Sequence, residues 1–443
     1  MNVKDKALKF AIEAHMGQVR KSFPDKPMIM HPIDAGNIAM EYGFDDNVVA
    51  ACYLHDVVED TPYTINDIRE IFGDDIASLV WCNTEPDKSL SWEKRKKHTI
   101  SSIKNMSLRE KVLVCCDKIS NLEDLRIFLE MKGERDFSCF KRGEEKQKWY
   151  YTAVYESIVS GECANFPIFK RLKDSLDSVF YNNDFLRNDI FYDDLDYYDK
   201  LKMLHASKLE LVKLKKLCKL DKPFIVEFSG TPRTGKTSTI NNLYDFFRKG
   251  GFNISVLEEF TTSSYYRNEF RDILNCFSRG GKHIKIVEEV LNQLLCEINS
   301  NNDIVLIDRS LNDRQIWNYM CYMDYCFDKN TYDRLRDKYV SLSKNMIDFL
   351  VITYASSGVS LRRDYINSLS LDERNFLNIN NIDRYNDCLR DLDGLLKKSV
   401  DSYLPIDTSL LSVRDTGVIV ASNVVKTMRK KYIDKFKSNY EIK

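Results

Sequence analysis

The sequence predicts a multidomain protein in which an all-α domain is followed by an α/β domain with a five-stranded parallel sheet. Two observations support this fold class. Residues 1–160 carry apolar side chains at three- and four-residue spacing, which is typical of amphipathic helices. From residue 223 onward, short apolar runs alternate with helical segments, which is typical of a doubly wound sheet.

Chain length and the change of pattern along the chain predict three segments. A chain of 443 residues is too long for one ordinary hydrophobic core, so we expect two domains. We assign residues 1–160 to the all-α domain, residues 161–221 to a helical connector and residues 222–443 to the α/β domain. No alternating strand pattern occurs in the first segment, where Ala7 and Ala11 begin a helical apolar face.

The predicted connector ends in a helix rich in lysine and leucine, over residues 208–222. Leu211, Leu214 and Leu217 share one face of this helix, whereas its lysines mostly project elsewhere. Two interpretations fit this pattern: a solvated helix that packs against a neighbour, or a helix whose lysines bind nucleic-acid phosphates. The lysines concerned are Lys213, Lys215, Lys216 and Lys219.

Five apolar runs predict the strands of the α/β domain. Helical segments between successive runs favour parallel pairing, because parallel strands require a long crossover connection. The runs are residues 224–228, 254–257, 304–307, 349–353 and 403–406.

Composition argues against several classes of protein. A net charge of −1 gives no global attraction to nucleic acid or acidic lipid, so such a partner would require a local patch. No run of 18 apolar residues occurs, which argues against a membrane-spanning helix. The 12 cysteines form no C-x-x-C pair, which favours free thiols in a reducing cytosol. We therefore expect a soluble, cytoplasmic protein, and the sequence does not indicate its oligomeric state.

Two histidines and several carboxylates in the first 120 residues form a candidate metal site. His55 and Asp56 end an apolar helical run, His31 lies at the start of another predicted helix, and Asp117 follows a further apolar run. Imidazole and carboxylate ligands together suit a divalent transition ion, and mixed nitrogen and oxygen ligation permits Mn²⁺. Such an ion can lower the pKa of a bound water and polarise a phosphoryl oxygen.

Glu59 and Asp60 add two carboxylates beside this candidate site. On a helix, His55 lies four residues before Glu59 and Asp56 lies four residues before Asp60, so the two pairs share one surface. Metal-competent or acid–base groups therefore crowd one helix end. A solvated, charged helix terminus is the alternative interpretation of the same residues.

These residues belong to a series of motifs that resembles the hydrolase domain of RelA/SpoT enzymes and the small alarmone hydrolases. The resemblance covers about residues 1–155, and its motifs occur in the family's order. It implies a manganese-dependent hydrolase that removes the 3′-pyrophosphate from (p)ppGpp or a similar nucleotide. The motifs are AHMGQVRKS at residues 14–22, HP at 31–32, HDVVEDT at 55–61, FG at 72–73 and DKISN at 117–121.

The same resemblance implies a role for each candidate residue of this domain. Residues 22–30 depart from the family's shorter Ser-Gly-x-Pro-Tyr stretch, which borders the base pocket, so the nucleobase is left open. A carboxylate within hydrogen-bond reach can orient or deprotonate the attacking water. The implied metal ligands are His31, His55, Asp56 and Asp117; Glu59 and Asp60 would act on the water, and Arg20, Lys21 and Asn121 would contact the nucleotide.

The string GTPRTGKT at residues 230–237 matches the phosphate-binding pattern G-x-x-x-x-G-K-[ST]. It follows an apolar strand and precedes a predicted helix, as this motif requires. Backbone N–H groups and the helix N-terminus in such a loop bind phosphate oxygens. Lys236 would reach the β- and γ-phosphates of ATP, and Thr237 would ligate Mg²⁺. The predicted nucleotide-binding residues of the loop are Gly230, Gly235, Lys236, Thr237 and Ser238.

Two arginine-containing segments follow this loop. Asp308 ends the third apolar run, where a carboxylate can reach the magnesium ion or a substrate hydroxyl, and Arg309 beside it can hold an acceptor phosphate or ribose. An ordinary charged strand end is the alternative for this pair. Arg362 and Arg363, after the fourth run, are candidates for a lid that closes over ATP, with a solvated basic loop as the alternative.

About residues 222–430 resemble thymidylate and deoxynucleoside kinases. The resemblance rests on FSG at residues 228–230, DRS at 308–310 and IDTS at 406–409. It implies an ATP-dependent kinase in which Arg233 stabilises the transferring phosphate. Pro232 replaces the aspartate that recognises the sugar in this family, so the acceptor is left open.

Together the two halves predict a bifunctional enzyme, a metal-dependent nucleotide pyrophosphohydrolase joined to a kinase for a nucleoside or nucleotide. Its expected cofactors are Mn²⁺ at the first site and Mg²⁺ with ATP at the second. Two alternatives stay open. A nucleic-acid end-healing enzyme would phosphorylate 5′-hydroxyl ends and remove 2′- or 3′-phosphates, and the lysine-rich helix favours it. A nucleotide-sensing stress or phage-defence protein would bind ATP without transferring phosphate to an acceptor.

Overall fold

The computed structural model describes most of the chain and divides it into two compact units. The first unit comprises residues 1–219 and 432–443, and the second comprises residues 220–431. No helix in the described part of the chain is long and apolar enough to cross a membrane. The described residues are 2–20, 23–85, 89–132, 137, 140–160, 166–181, 195–258, 291–292, 294–325, 328–363 and 379–442.

The first unit is built from helices, as the apolar spacing predicts. Among its described residues, β pairing is limited to one isolated antiparallel bridge between Val19 and Pro27. The helices are α1 (Val3–Ala14), α2 (Met30–Glu41), α3 (Asp46–Leu54), α4 (Val57–Asp60), α5 (Ile65–Phe72), α6 (Asp74–Asn83), α7 (Trp92–Ile103), α8 (Leu108–Lys132), α9 (Gly143–Ile158), α10 (Pro167–Phe180) and α11 (Leu195–Leu217).

Helix α8 is the central helix of this unit. It contacts α2, α3, α6, α9, α10 and α11, so nearly its whole circumference is buried. Its apolar residues include Val112, Ile119 and Leu122, each 0% exposed. A helix that is covered on all sides carries its polar side chains into the interior as well. Asp117 and Ser120 of α8 are therefore buried in this unit.

Helices α10 and α11 lie in the segment that the sequence predicts as a connector, and the structure places both in the first unit. Leu211 and Leu214 of α11 are buried, and the helix contacts α8 and α2. Lys213 differs from the solvated lysines of the first interpretation, because it contacts three carboxylates and its side chain is 15% exposed. An acidic cluster on neighbouring helices stabilises this lysine inside the unit, a feature that the helix's own periodicity does not encode.

The second unit has the predicted parallel sheet. Its strands are β1 (Phe224–Gly230), β2 (Ile254–Leu257), β3 (Ile304–Asp308), β4 (Phe349–Tyr354) and β5 (Ser402–Asp407). They form one sheet in the order β2-β3-β1-β4-β5, with every neighbouring pair parallel. The predicted fold class is therefore confirmed, an all-α region followed by an α/β region with five parallel strands.

The sheet brings the loop after β1 to the carboxyl ends of β3 and β4. β1 pairs with β3 on one side and with β4 on the other, and the register aligns Phe228 with Asp308 and Gly230 with Thr353. In parallel sheets, ligands bind at this edge. The remaining described helices are α12 (Lys236–Arg248), α13 (Leu311–Met323), α14 (Lys329–Met346), α15 (Ser357–Arg362), α16 (Ile379–Lys398) and α17 (Val413–Asn439).

Candidate metal centre and phosphate loop

Four predicted metal ligands come from three places in the first unit. His31 lies in the first turn of α2, and Asp117 lies in the middle of α8. His55 and Asp56 occupy the turn between α3 and α4. The sequence predicts a continuous helix from His55 to Glu59, but the structure interrupts it at His55 and Asp56. The turn directs both side chains toward His31 and Asp117.

The four side chains converge on one point. The Nε2 atom of His31 lies 3.2 Å from Asp117 Oδ1 and 3.7 Å from Asp56 Oδ2. The Nε2 atom of His55 lies 3.2 Å from Asp56 Oδ1 and 3.7 Å from Asp117 Oδ1. Ligand-competent atoms of His31, His55 and Asp117 all lie within 4.8 Å of one another, a spacing that allows one ion to contact all three.

Hydrogen bonds at Nδ1 select the ring nitrogen that each histidine presents. His55 Nδ1 lies 2.7 Å from the carbonyl oxygen of Cys52, which can only accept, so Nδ1 carries the proton. The Ser120 hydroxyl donates to Asp34 at 2.8 Å and therefore accepts from His31 Nδ1 at 2.9 Å. In both rings Nδ1 carries a proton, so Nε2 is the atom that can bind a cation.

The donor set fits a divalent cation. His55 Nε2 is fully buried and makes no hydrogen bond within the described part of the chain, although a buried ring nitrogen normally has a partner. Two imidazoles and two carboxylates give a mixed nitrogen and oxygen site of the kind that manganese, iron or zinc occupies. A cation between them would satisfy His55 Nε2 and compensate the charges of Asp56 and Asp117.

The electrostatics of the four groups follow from burial and from their closeness. Burial and the positive charge of Arg20 lower the pKa of His31. Burial also lowers the pKa of His55, but the carboxylates of Asp56 and Asp117 outweigh it and, without a bound ion, raise that pKa to about 9. A cation at Nε2 would therefore replace a proton there. Burial would raise the pKa of Asp117, yet Lys118 and the two histidines hold it well below its usual range. Asp117 is therefore an ionised ligand.

Glu59 and Asp60 lie on the short helix α4, beside the ligands. The Oε1 atom of Glu59 accepts the backbone N–H of Glu85 at 2.7 Å, which holds this carboxylate in place. Burial raises the pKa of Glu59, which makes its carboxylate a better proton acceptor. Asp60 is exposed, and its backbone carbonyl accepts a hydrogen bond from Gln18 at 2.7 Å.

Two of the three residues predicted to contact the nucleotide are joined to a metal ligand. Arg20 donates to Asn121 Oδ1 at 3.1 Å and to Asp124 Oδ2 at 3.3 Å. Asn121 in turn donates from Nδ2 to Asp117 Oδ1 at 2.6 Å. Lys21 lies outside the described residues.

The loop after β1 has the conformation that the phosphate-binding pattern requires. A Cβ atom at Gly230 would lie 2.0 Å from the carbonyl oxygen of Thr353, so this position excludes any side chain. Gly235 has φ +89° at the start of α12, a left-handed conformation that favours glycine. Lys236 is buried and its Nζ donates to the carbonyl oxygen of Thr231 at 2.7 Å. This hydrogen bond holds the Lys236 side chain against the backbone of its own loop.

Thr237 and Asp308 meet at the carboxyl edge of the sheet. The Thr237 hydroxyl donates to Asp308 Oδ2 at 2.9 Å, across the pairing of β1 with β3. A hydroxyl on the loop and a carboxylate at the end of an adjacent strand are the two groups that hold Mg²⁺ in P-loop proteins. Ser238 is exposed in the first turn of α12.

The four predicted arginines of this unit have different surroundings. Arg233 is exposed in the loop with φ +59°, whereas Arg309 is buried and donates to Asp313 Oδ1 at 2.8 Å. Arg362 donates to the carbonyl of Gly358 at 3.2 Å, within its own helix. The remaining one, Arg363, donates to the backbone carbonyl of Thr408 at 2.7 Å, which ties it to the segment after β5.

Sequence reasoning missed Glu227, which supports the Asp308 segment from the centre of β1. Its side chain is 0% exposed, and Oε1 accepts the backbone N–H groups of Ser310, Asn312 and Asp313 at 2.9–3.1 Å. A charged residue inside an otherwise apolar central strand was the available signal, because such a residue needs several hydrogen-bond donors. Glu227 caps α13 and thereby fixes the chain that follows Asp308.

Comparisons with known proteins place the first unit in a family. A family model described as an HD domain matches residues 7–129. The guanosine-3′,5′-bis(diphosphate) 3′-pyrophosphohydrolase MESH1 of Drosophila melanogaster is 36% identical over 122 residues, which are 27% of this chain and 68% of the fly protein. This chain belongs to the HD-domain family that includes the fly hydrolase.

Two further proteins resemble parts of this chain. A probable guanosine-3′,5′-bis(diphosphate) 3′-pyrophosphohydrolase of Synechocystis is 33% identical to the HD-domain chain over 136 residues, and 18% of that longer relative is covered. The solved structure of deoxyadenosine kinase from M. mycoides with bound dATP has 17% identity and a TM-score of 0.34, covering 45% of this chain and 97% of the kinase.

The HD-domain match covers every candidate residue of the metal centre. Residues 7–129 include the four ligands, the two carboxylates of α4, and the pair formed by Arg20 and Asn121. Ser120 and Asp34, which orient His31, lie within the same range but were not singled out in the sequence. Ser120 lies three residues after Asp117 on α8, and this helical spacing is the signal that would have identified it.

Proposed function

We propose that the first unit is a divalent-metal-dependent hydrolase that removes the 3′-pyrophosphate from guanosine-3′,5′-bis(diphosphate) or a closely similar nucleotide. The observation that carries this proposal is the convergence of the Nε2 atoms of His31 and His55 on Asp56 and Asp117. The activity named for the fly relative supports the choice of substrate. His31, His55, Asp56 and Asp117 would hold the ion, with Mn²⁺ as the expected metal.

The residues around the ion would have different roles in hydrolysis. When bound, the ion would supply an acidic water and polarise a phosphoryl oxygen. Glu59, whose pKa is raised by burial, would take a proton from the attacking water, and Asp60 would help to orient it. Arg20 and Lys21 would bind the departing phosphate groups, and Asn121 would hold Arg20 in place. The water oxygen would bond to the phosphorus attached to the 3′-oxygen as the bond between those two atoms breaks. The 3′-oxygen would take up a proton, and pyrophosphate would leave.

Metal removal tests this proposal. Purified protein with Mn²⁺ should convert ppGpp to GDP and pyrophosphate, EDTA should abolish the conversion, and added Mn²⁺ should restore it. His55→Ala should reduce turnover to below about 1% of the wild-type rate, because a metal ligand is lost. His98→Ala is a matched control, since His98 is exposed on α7. A wild-type protein that binds Mn²⁺ but leaves ppGpp intact would disprove the proposed substrate.

We propose further that the second unit is an ATP-dependent kinase acting on a nucleoside or nucleotide. The hydrogen bond between Thr237 and Asp308 supports a magnesium site beside the loop formed by residues 230–237. Lys236 would move from its backbone partners to the phosphates of ATP, and Arg233 would stabilise the transferring group. Arg309 would act on the acceptor from its position beside Asp308. Arg362 and Arg363 are proposed as lid residues.

Acceptor screening tests the kinase proposal. γ-Labelled ATP and Mg²⁺ should be offered in parallel with nucleosides, nucleotides and oligonucleotides that carry a 5′-hydroxyl. Label should appear on a nucleoside or nucleotide. Transfer to the oligonucleotide alone would contradict the proposal, and ATP binding without transfer to any acceptor would favour a sensor instead.

A further inference from the structure

A cluster of buried charges lies behind the metal centre and is completed by a residue outside the HD-domain match. Lys213 of α11 has its Nζ 3.0 Å from Asp34 Oδ2, 3.2 Å from Asp124 Oδ1 and 3.5 Å from Glu123 Oε2. The match ends at residue 129, whereas α11 begins at Leu195. Lys213 places a positive charge of α11 among these three carboxylates. Burial would raise the pKa of Asp124, yet Lys213, Lys26 and Arg20 hold it well below its usual range.

One chain of hydrogen bonds leads from Lys213 to a metal ligand. The lysine binds Asp34, Asp34 accepts the hydroxyl proton of Ser120 at 2.8 Å, and the Ser120 oxygen accepts His31 Nδ1–H at 2.9 Å. Because the Asp34 carboxylate can only accept, Ser120 donates to it and accepts from the ring. A serine whose proton faced the ring would instead place the lone pair of His31 at Nδ1. By holding Asp34 in place as the acceptor for Ser120, Lys213 acts on the tautomer and orientation of His31.

A second chain leads from Lys213 to the candidate nucleotide-binding arginine. Asp124 lies between them: Oδ1 accepts from Lys213 at 3.2 Å and Oδ2 accepts from Arg20 at 3.3 Å. Without the lysine, Asp124 would be a buried carboxylate with one fewer cation, and it would draw Arg20 more strongly away from a bound phosphate. Lys213 and Arg20 thus donate hydrogen bonds to the same carboxylate, that of Asp124.

Helix α11 also fixes the segment that carries Arg20. Lys26 forms a buried ion pair with Glu210 of α11 at 2.8 Å, and its carbonyl accepts the backbone N–H of Arg20 at 3.0 Å. Glu210 lies three residues before Lys213 and is 0% exposed. One face of α11 therefore contacts both the segment around Arg20 and the carboxylates behind His31.

We propose that Lys213 is a positioning residue of the hydrolase, so that the hydrolytic site extends beyond the HD-domain match to α11. It acts through Ser120 on His31 and through Asp124 on Arg20, without touching the ion or the nucleotide. The proposal rests on the proposed hydrolase function for its substrate. It predicts that loss of Lys213 weakens Mn²⁺ binding and nucleotide binding together.

The test compares Lys213→Met with Lys213→Arg in the full-length protein. Methionine keeps the side-chain length and removes the charge, whereas arginine restores it. Lys213→Met should raise the Kd for Mn²⁺, measured by electron paramagnetic resonance of the free ion, and the KM for ppGpp by about tenfold each. Lys213→Arg should recover most of both losses. Lys216→Met is the matched control, because Lys216 lies on the same helix and forms an exposed ion pair with Glu41.

Ser120→Ala tests the hydrogen-bond chain independently and keeps the proposal testable if Lys213→Met fails to fold. It should also weaken Mn²⁺ binding about tenfold. If one chain joins the two residues, the double variant should bind Mn²⁺ no more weakly than the weaker single variant. Fully additive losses, or a folded Lys213→Met variant with wild-type Mn²⁺ affinity, would overturn the proposal. Should the wild-type protein not hydrolyse ppGpp, the substrate assignment fails while the Mn²⁺ affinities still decide the role of Lys213.

Discussion

At the scale of single residues, both candidate sites depend on groups whose hydrogen bonds are set by their neighbours. A histidine binds a cation through a ring nitrogen that carries no proton, and a second contact at the other nitrogen decides which one this is. Cys52 makes that contact for His55 through its carbonyl, and Ser120 makes it for His31. The backbone carbonyl of Cys52 therefore orients His55 toward the candidate metal position, and the side chain of Ser120 orients His31 toward it.

Glu227 has a comparable supporting role in the second unit. Three backbone N–H groups, the Ser229 hydroxyl and the Asn312 amide donate to its carboxylate. These donors compensate for burial, which raises the pKa of Glu227. The groups at the start of α13 would otherwise be unsatisfied, since the first N–H groups of a helix have no partner within it.

Glu227→Gln should destabilise the second unit. The amide keeps the shape of the side chain but loses the charge. Its NH₂ group would face N–H donors and could not accept from them. We expect a loss of about 2 kcal/mol in the free energy of unfolding. Hydrogen exchange at the amides of Ser310, Asn312 and Asp313 should accelerate, which mass spectrometry can measure. Glu258→Gln, at an exposed position, is the control, and equal exchange in the two variants would refute the capping role.

At the scale of secondary-structure elements, the first site depends on one turn and on one buried helix. The turn between α3 and α4 separates His55 and Asp56 from Glu59, so the metal ligands and the candidate base approach from different directions. Helix α8 carries Asp117, Ser120 and Asn121 in one helical stretch. Because α11 packs against α8, Lys213 of α11 reaches Asp124, which lies one helical turn after Ser120 on α8.

The pair formed by Asp124 and Lys213 should make the first unit sensitive to acid. The pKa of Asp124 lies below its unfolded value of 3.8, so its stabilising contribution is present above about pH 4 and is lost as the pH falls below it. Asp124→Asn should therefore be less stable than the wild type at pH 7, and this difference should shrink toward pH 3. Urea unfolding at several pH values, followed by tryptophan fluorescence, measures it.

Asp177→Asn is the matched control for this pH dependence. Asp177 also pairs with a lysine, Lys173, but its side chain is 41% exposed. Solvent screens such a pair, so its substitution should change stability by less than about 1 kcal/mol at any pH. A stability difference between Asp124→Asn and the wild type that stayed constant from pH 7 to pH 3 would contradict the assigned ionisation.

At the scale of the whole molecule, the two units carry separate candidate sites. The metal centre is built entirely from residues of the first unit, and the loop with Lys236 is built from residues of the second. Each unit has its own buried core, with α8 in the first and the parallel sheet in the second. This division supports two activities that can be removed one at a time.

Single substitutions should separate the two activities. Asp56→Ala should abolish metal-dependent hydrolysis and leave phosphate transfer within about twofold of the wild type, because it removes a ligand from the first site only. Lys236→Ala should do the reverse, since it removes the cation that would contact the phosphates of ATP. Parallel assays of both reactions on each purified variant test this. Loss of both activities in both variants would show that the sites are coupled.

The sequence by itself determined the fold class and predicted the chemistry of both candidate sites. Helical spacing predicts the first unit, apolar runs predict all five strands, and residues 230–237 predict a phosphate loop. These features are local, since each depends on residue types at short, regular intervals. The sequence also predicts the ligand set of the metal centre, because its residues follow a recognisable order along the chain.

Only the tertiary structure decided which distant residues support these sites. Lys213 reads as a solvated lysine on an amphipathic helix, and it is the carboxylates of α2 and α8 that hold it inside the unit. Glu227 reads as an anomaly in a strand until the start of α13 supplies its donors. Such roles depend on contacts across 83–179 positions of sequence, and local patterns carry no information about them. Tertiary packing decides which polar groups surround a buried charge, because those groups come from distant parts of the chain.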